Sequence, residues 1–116
     1  MDERRRSPRV PSWLSARYAL AGDEPPQATL VRDVSGGGCA LFTASLLSAG
    51  TVLDVTVEGP KRRSVAFTAR VMWSGKLLLT RREAHPWAFE AGVRFVKIAP
   101  GDLARLLEAA SGGPAA

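Results

Sequence analysis

The polar and apolar residues of this chain alternate in short runs, the pattern of half-buried strands. The clearest run covers residues 51–58. Leu53, Val55 and Val57 face one way, and Asp54, Thr56 and Glu58 the other. Residues 65–73 repeat it, with Phe67, Ala69, Val71 and Trp73 on one face. Apolar, β-compatible stretches at 13–20, 28–34 and 39–43 predict three earlier strands, and 87–96 predicts a last one. Residues 76–82 extend the hairpin that follows 65–73. Gly92, inside the last strand, marks a bulge or a close backbone approach. Turn-formers punctuate the runs, at 22–26 (Gly22, Pro25, Pro26) and at 59–63 (Gly59, Pro60).

The period changes near the end. Leu103, Leu106, Leu107 and Ala110 recur at helical spacing behind Pro100-Gly101-Asp102, with Asp102 as N-cap. Ser111-Gly112-Gly113-Pro114 stops that helix. Several short strands bounded by turns, followed by one short helix, predict an all-β fold: a small barrel whose helix plugs one end.

Length and charge narrow the class. A chain of 116 residues predicts one domain with a modest core. Residues 1–11 read as a basic arm, 12–110 as the barrel with its helix, and 111–116 as a tail. No apolar run is long enough to span a membrane, and the charged first residues are no secretory signal. Cys39 is the only cysteine, so no intramolecular disulfide forms. These features predict a cytoplasmic protein. The net charge is +5, from 16 basic and 11 acidic residues, and arginine dominates the basic set. Its planar fork suits phosphate and the guanine edge. A GC-rich genome explains a general arginine bias equally well, but not the local cluster Arg4, Arg5, Arg6 and Arg9.

Two motifs carry candidate chemistry. The first is the RxxxR of Arg5-Arg6-Ser7-Pro8-Arg9. Pro8 and Pro11 favour an extended arm. Arg5 and Arg9 then lie on one side, roughly 13 Å apart. Each can grip phosphate oxygens or pair with guanine O6 and N7. The second is the DxSxxG of Asp33-Val34-Ser35-Gly36-Gly37-Gly38. Asp33 can accept from guanine N1–H and N2–H₂. Ser35 can bond a phosphate oxygen or brace the turn. Gly36, Gly37 and Gly38 allow positive φ, close approach of backbone to a ligand, and a nest of N–H groups for an anion. Either motif alone also reads as a solvated tail or an ordinary β-turn. The conjunction is more telling: one strand, one loop and a second strand separate them, enough to bring the arm back over the glycine bend.

At these residues the chain resembles a stand-alone PilZ domain. Arg5 and Arg9 match the two arginines of the family's first motif, and Asp33, Ser35 and Gly38 match the second. The stretches Arg70-Val71-Met72-Trp73 and Gly92-Val93-Arg94-Phe95 are also similar to family patterns. The resemblance implies a six-stranded antiparallel β-barrel with an adjoining helix. It implies a receptor for cyclic di-GMP, whose flexible arm orders over the ligand and whose altered surface signals to a partner. Arg4, just before the first motif, implies an intercalated pair of ligand molecules. The ligand residues would be Arg4, Arg5, Arg9, Asp33, Ser35, Gly37, Gly38 and Trp73. Trp73 either stacks on a base near the barrel mouth or is a core aromatic.

No enzyme is expected. His85 is the only histidine and precedes Pro86 in a loop. Cys39 sits in an apolar strand as a buried small hydrophobe, not a nucleophile. No cofactor, metal cluster, Walker loop or dinucleotide fingerprint is indicated. Two rivals remain: a basic nucleic-acid-binding barrel, and an adaptor of the same fold that binds protein and ignores nucleotide. The clustering of cations at one arm speaks against the first. The complete motifs speak against the second. The downstream process and partner are open.

Overall fold

The structure is a computed structural model, and it describes residues 14–20, 25–59, 64–77 and 87–110. Six strands and one helix follow in order: β1 (Leu14–Leu20), β2 (Gln27–Arg32), β3 (Gly38–Thr43), β4 (Val52–Glu58), β5 (Ser64–Lys76), β6 (Phe89–Lys97) and α1 (Pro100–Ala110). The strands close into a barrel in the order β1-β2-β3-β6-β5-β4. Every pairing is antiparallel, and β1 closes the barrel by pairing with β4. The six-stranded barrel with one short C-terminal helix is the fold the sequence predicts. No helix among the described residues is long and apolar enough to cross a membrane.

Period-two alternation builds the core. In β4, Leu53, Val55 and Val57 are buried while Asp54, Thr56 and Glu58 are exposed, as the pattern predicts. Tyr18, Val31, Leu41, Phe67, Val71 and Val93 meet them inside the barrel. Burial pushes the Tyr18 phenol above its ordinary value, and a backbone hydrogen bond from Ala44 partly offsets this. Where β2 and β3 diverge beyond Val31↔Leu41, the buried Thr29 hydroxyl replaces the ladder. It donates to the Phe42 carbonyl and accepts from the Phe42 N–H at 3.1 Å. No buried side-chain polar atom among the described residues lacks a partner.

Three expectations need correction. Phe67, Ala69 and Val71 are buried, but Trp73 is 52% exposed. The register shifts between Val71 and Trp73, so the alternation breaks and both Met72 and Trp73 turn outward. The second strand ends at Arg32, short of residue 34, because Asp33 adopts φ 54°. The helix starts at Pro100, with the Leu103 N–H bonded to the Ala99 carbonyl at 2.9 Å. Proline suits the first helical position, so Ala99 takes the cap and Asp102 lies inside the first turn, paired with Arg105. Leu106 alone on the described helix is fully buried in the core, while Leu107 stays exposed.

Candidate functional site

The DxSxxG bend joins β2 to β3 on the outside of the barrel. Asp33 is the left-handed residue of the bend, with φ 54°. Aspartate tolerates that region better than most residues. None of the three glycines has a positive φ, so the expected division of labour is reversed. Gly38 is needed for a different reason: a Cβ there would stand 1.9 Å from the Val93 carbonyl oxygen. Its absence lets β3 lie against β6. Gly36 and Gly37 face open space.

Internal hydrogen bonds hold the bend. The Ser35 N–H donates to the Gly38 carbonyl at 2.9 Å, and the Phe95 N–H donates to the Gly37 carbonyl at 2.8 Å. The Ser35 hydroxyl reaches the same Gly38 carbonyl at 3.3 Å and accepts from the Gly37 N–H at 3.3 Å. Ser35 therefore braces the turn. The Gly37 N–H, expected to contribute to an anion nest, instead serves the bend itself.

The pairing register shows what lies beside it. Core side chains of β3 and β6, such as Cys39, Leu41 and Val93, alternate with residues facing out. One outward row runs Arg70, Arg94, Gly38, and the next runs Trp73, Gly92, Ala40, Arg32. Gly38, Gly92 and Ala40 thus make a floor almost without side chains. Trp73 and Arg94 rise on one side of it, Asp33 and Ser35 on the other. The result is an open trough of about 320 Å³. The Trp73 indole lies against Gly92, where a Cβ would come within 2.2 Å of Nε1. Gly92 therefore marks both a close approach and a strand opposite a bulge.

Asp33, Ser35, Gly37, Gly38 and Trp73, all candidates from the sequence, line this one trough. Arg4, Arg5 and Arg9 lie outside the described residues, as do Trp13 and His85. The trough occupies the outer face of the barrel, not its mouth. Sequence reasoning missed Arg94, Met72 and Ala40 as lining residues. For Arg94 and Ala40 the signal was available, since each alternates with an inward-facing neighbour. It also missed Arg32, whose guanidinium bonds Glu90 (Nε to Oε2, 3.0 Å) and stands 3.5 Å from the Asp33 carboxylate. The same guanidinium lies 5.9 Å from the Phe42 ring centre. Trp87 packs on the same ring, at 5.6 Å between centroids, and its Nε1–H donates to the Ala28 carbonyl at 3.0 Å.

Cys39 is buried beneath the trough. Burial, and secondarily the Asp33 charge, pushes its thiol up to about 12. It stays protonated at neutral pH and is a poor nucleophile. No cluster of metal-ligating side chains occurs among the described residues. The arrangement offers an aromatic face, an acceptor carboxylate, an arginine and a flat floor. That set can hold a planar base and an attached phosphate.

Comparison with known proteins agrees with this architecture. The PilZ domain family matches residues 3–111. No curated protein matches the chain. Among solved structures, the chain is similar to the Bacillus subtilis inhibitor of motility (MotI/DgrA), with TM-score 0.67 and 22% identity. That match covers 87% of this chain but only 46% of the Bacillus protein, so the chain spans less than half of that neighbour. It is also similar to the PilZ domain of YcgR from Escherichia coli, solved with c-di-GMP. There the TM-score is 0.62 and the identity 15%, over 88% of this chain and 86% of that one. At such identities the likeness concerns the fold.

Proposed function

The chain belongs to the PilZ domain family, and from that premise we propose that it is a receptor for cyclic di-GMP that signals to a partner through a changed surface. The observation that carries the reading is the trough. The DxSxxG bend and the exposed Trp73 meet across a floor of Gly38, Gly92 and Ala40. The E. coli neighbour was solved with the same nucleotide. In this reading Asp33 accepts from the guanine N1–H and N2–H₂ edge. Trp73 stacks on a base, and the bend with Gly37 and Gly38 lets the ligand sit close to backbone. Arg5 and Arg9 grip phosphates or guanine edges, and Arg4 supports a second, intercalated ligand.

Isothermal titration with cyclic di-GMP, cyclic di-AMP and GTP side by side tests this. The expected result is micromolar or tighter binding of cyclic di-GMP alone, with two molecules per chain. Arg5→Ala or Arg9→Ala should remove more than about 2 kcal/mol of binding. Arg4→Ala should move the stoichiometry from two towards one. Asp33→Asn keeps a residue that tolerates the left-handed backbone and should weaken binding while narrowing the preference over cyclic di-AMP. Absence of heat with cyclic di-GMP would overturn the proposal and leave the adaptor reading. Affinity for any single-stranded nucleic acid, falling steeply with salt, would favour the nucleic-acid module instead.

A further inference from the structure

The row of outward residues that ends at Gly38 begins with two arginines. Arg70 on β5 and Arg94 on β6 are register partners in a regular stretch of ladder, between Ala69↔Phe95 and Val71↔Val93. Directly opposed residues have Cβ atoms about 4.5–5.5 Å apart. Both arginines are exposed, and both project from the face turned away from the core. Like charges placed directly opposite are destabilising. The acidic groups on neighbouring rows make their contacts elsewhere. Asp54 accepts from the Thr68 hydroxyl at 3.3 Å, and Glu90 is held by Arg32. No ion pair among the described residues involves Arg70 or Arg94.

Arg94 also lines the trough, beside the bare floor at Gly38 and Gly92. We infer that Arg70 and Arg94 together form a phosphate-holding subsite at the rim of the trough, across the floor from Asp33. The inference rests on reading the trough as a nucleotide site. A neutral base would occupy one guanidinium and leave the repulsion in place. A phosphate diester neutralises the pair, because each fork takes its own oxygen. Asp33 on the far side keeps a phosphate away from its own end by like charge. The trough is therefore polar in one direction: guanine edge towards Asp33, phosphate towards Arg94 and Arg70.

The test compares wild type with Arg70→Gln, Arg70→Lys and a control, Arg17→Gln. Arg17 is an exposed β1 arginine whose register partners are Thr56 and Ala28. Two readouts are used: thermal unfolding with and without inorganic pyrophosphate at constant ionic strength, and calorimetry with cyclic di-GMP. Without anion, Arg70→Gln should melt higher than wild type by roughly 1–4 °C, since the like-charge pair is gone. Pyrophosphate should raise the melting temperature of wild type and of Arg17→Gln, but not of Arg70→Gln. Arg70→Lys, which keeps charge without the fork, should respond partially. Affinity for cyclic di-GMP should fall about tenfold in Arg70→Gln. Equal pyrophosphate responses in wild type and Arg70→Gln would overturn the subsite, as would equal cyclic di-GMP affinity. If wild type binds no cyclic di-GMP while the pyrophosphate response still depends on Arg70, the subsite stands and the receptor reading falls.

Discussion

Replacing Gly38 with alanine puts a methyl group where the backbone of β6 already lies. The added Cβ would stand 1.9 Å from the Val93 carbonyl oxygen and 3.0 Å from both Val93 C and Arg94 Cα. Ordinary carbon contacts begin near 3.5 Å, so the strands must part locally by roughly 1.5 Å. These neighbours are backbone atoms of a paired strand and have no rotamer to give. Two hydrogen bonds flank that approach: Phe95 N–H to Gly37 O at 2.8 Å ties the bend to β6, and Ser35 N–H to Gly38 O at 2.9 Å closes the bend itself. Weakening both costs about 1–2 kcal/mol, and overpacking strain adds about 1–3 kcal/mol. Gly38→Ala should therefore lose about 2–5 kcal/mol, or roughly 8–20 °C in melting temperature for a domain of this size. Gly37→Ala is the control, because nothing lies within 4 Å of its added Cβ. It should stay within about 0.5 kcal/mol of wild type. Urea and thermal unfolding of the two variants decide the matter. If Gly38→Ala unfolds with Gly37→Ala, the packing account of this glycine is wrong.

Three other outcomes follow from the same structure. Thr29→Val strips the hydroxyl that serves both the N–H and the carbonyl of Phe42, and should cost about 2–4 kcal/mol in urea unfolding, with Thr29→Ser close to wild type. The Cys39 thiol, pushed up to about 12 by burial and then by Asp33, adds stability that is whole below about pH 8.5 and lost as pH rises towards the folded value. Stability should thus fall more steeply between pH 9 and pH 11, roughly, in wild type than in Cys39→Ala, and iodoacetamide should label native protein far more slowly than unfolded; equal rates would refute its burial. Gly92→Ala meets the Trp73 side chain rather than backbone, so it should displace the indole at a cost of about 1 kcal/mol, with a fluorescence change that vanishes in a Trp73→Phe background.

What the sequence made legible was whatever follows from local period. The buried and exposed faces of β4 could be read residue by residue, and so could the number of strands and the single late helix. Pairing geometry was harder. The shift between Val71 and Trp73 depends on how β5 meets β6, and no residue in Val71-Met72-Trp73 announces it. Trp73 therefore looked like a continuation of the core face. The glycine run concealed the bend's conformation, because glycine is the default for positive φ while Asp33 adopts it here. Asp102 had the chemistry of a cap, but Pro100 at the first helical position moved the start upstream. The candidate residues of the second motif were nameable because their spacing is local. Alternation marks Arg94 as outward-facing, but its opposition to Arg70, and the meeting of Arg32 with Glu90, come only from how the strands pair.

The bare floor of the trough has a consequence for how such a surface diverges. Its depth is set by three positions that carry a methyl group or less, while its chemistry is set by larger residues along the margins. Ala40 is the softest of the three, since it carries a Cβ already and a bulkier replacement would fill the hollow from below. Capacity and selectivity are thereby uncoupled. A descendant chain can close this trough by adding bulk at one small residue while every charged group stays in place, and motif inspection alone would score that altered relative as intact.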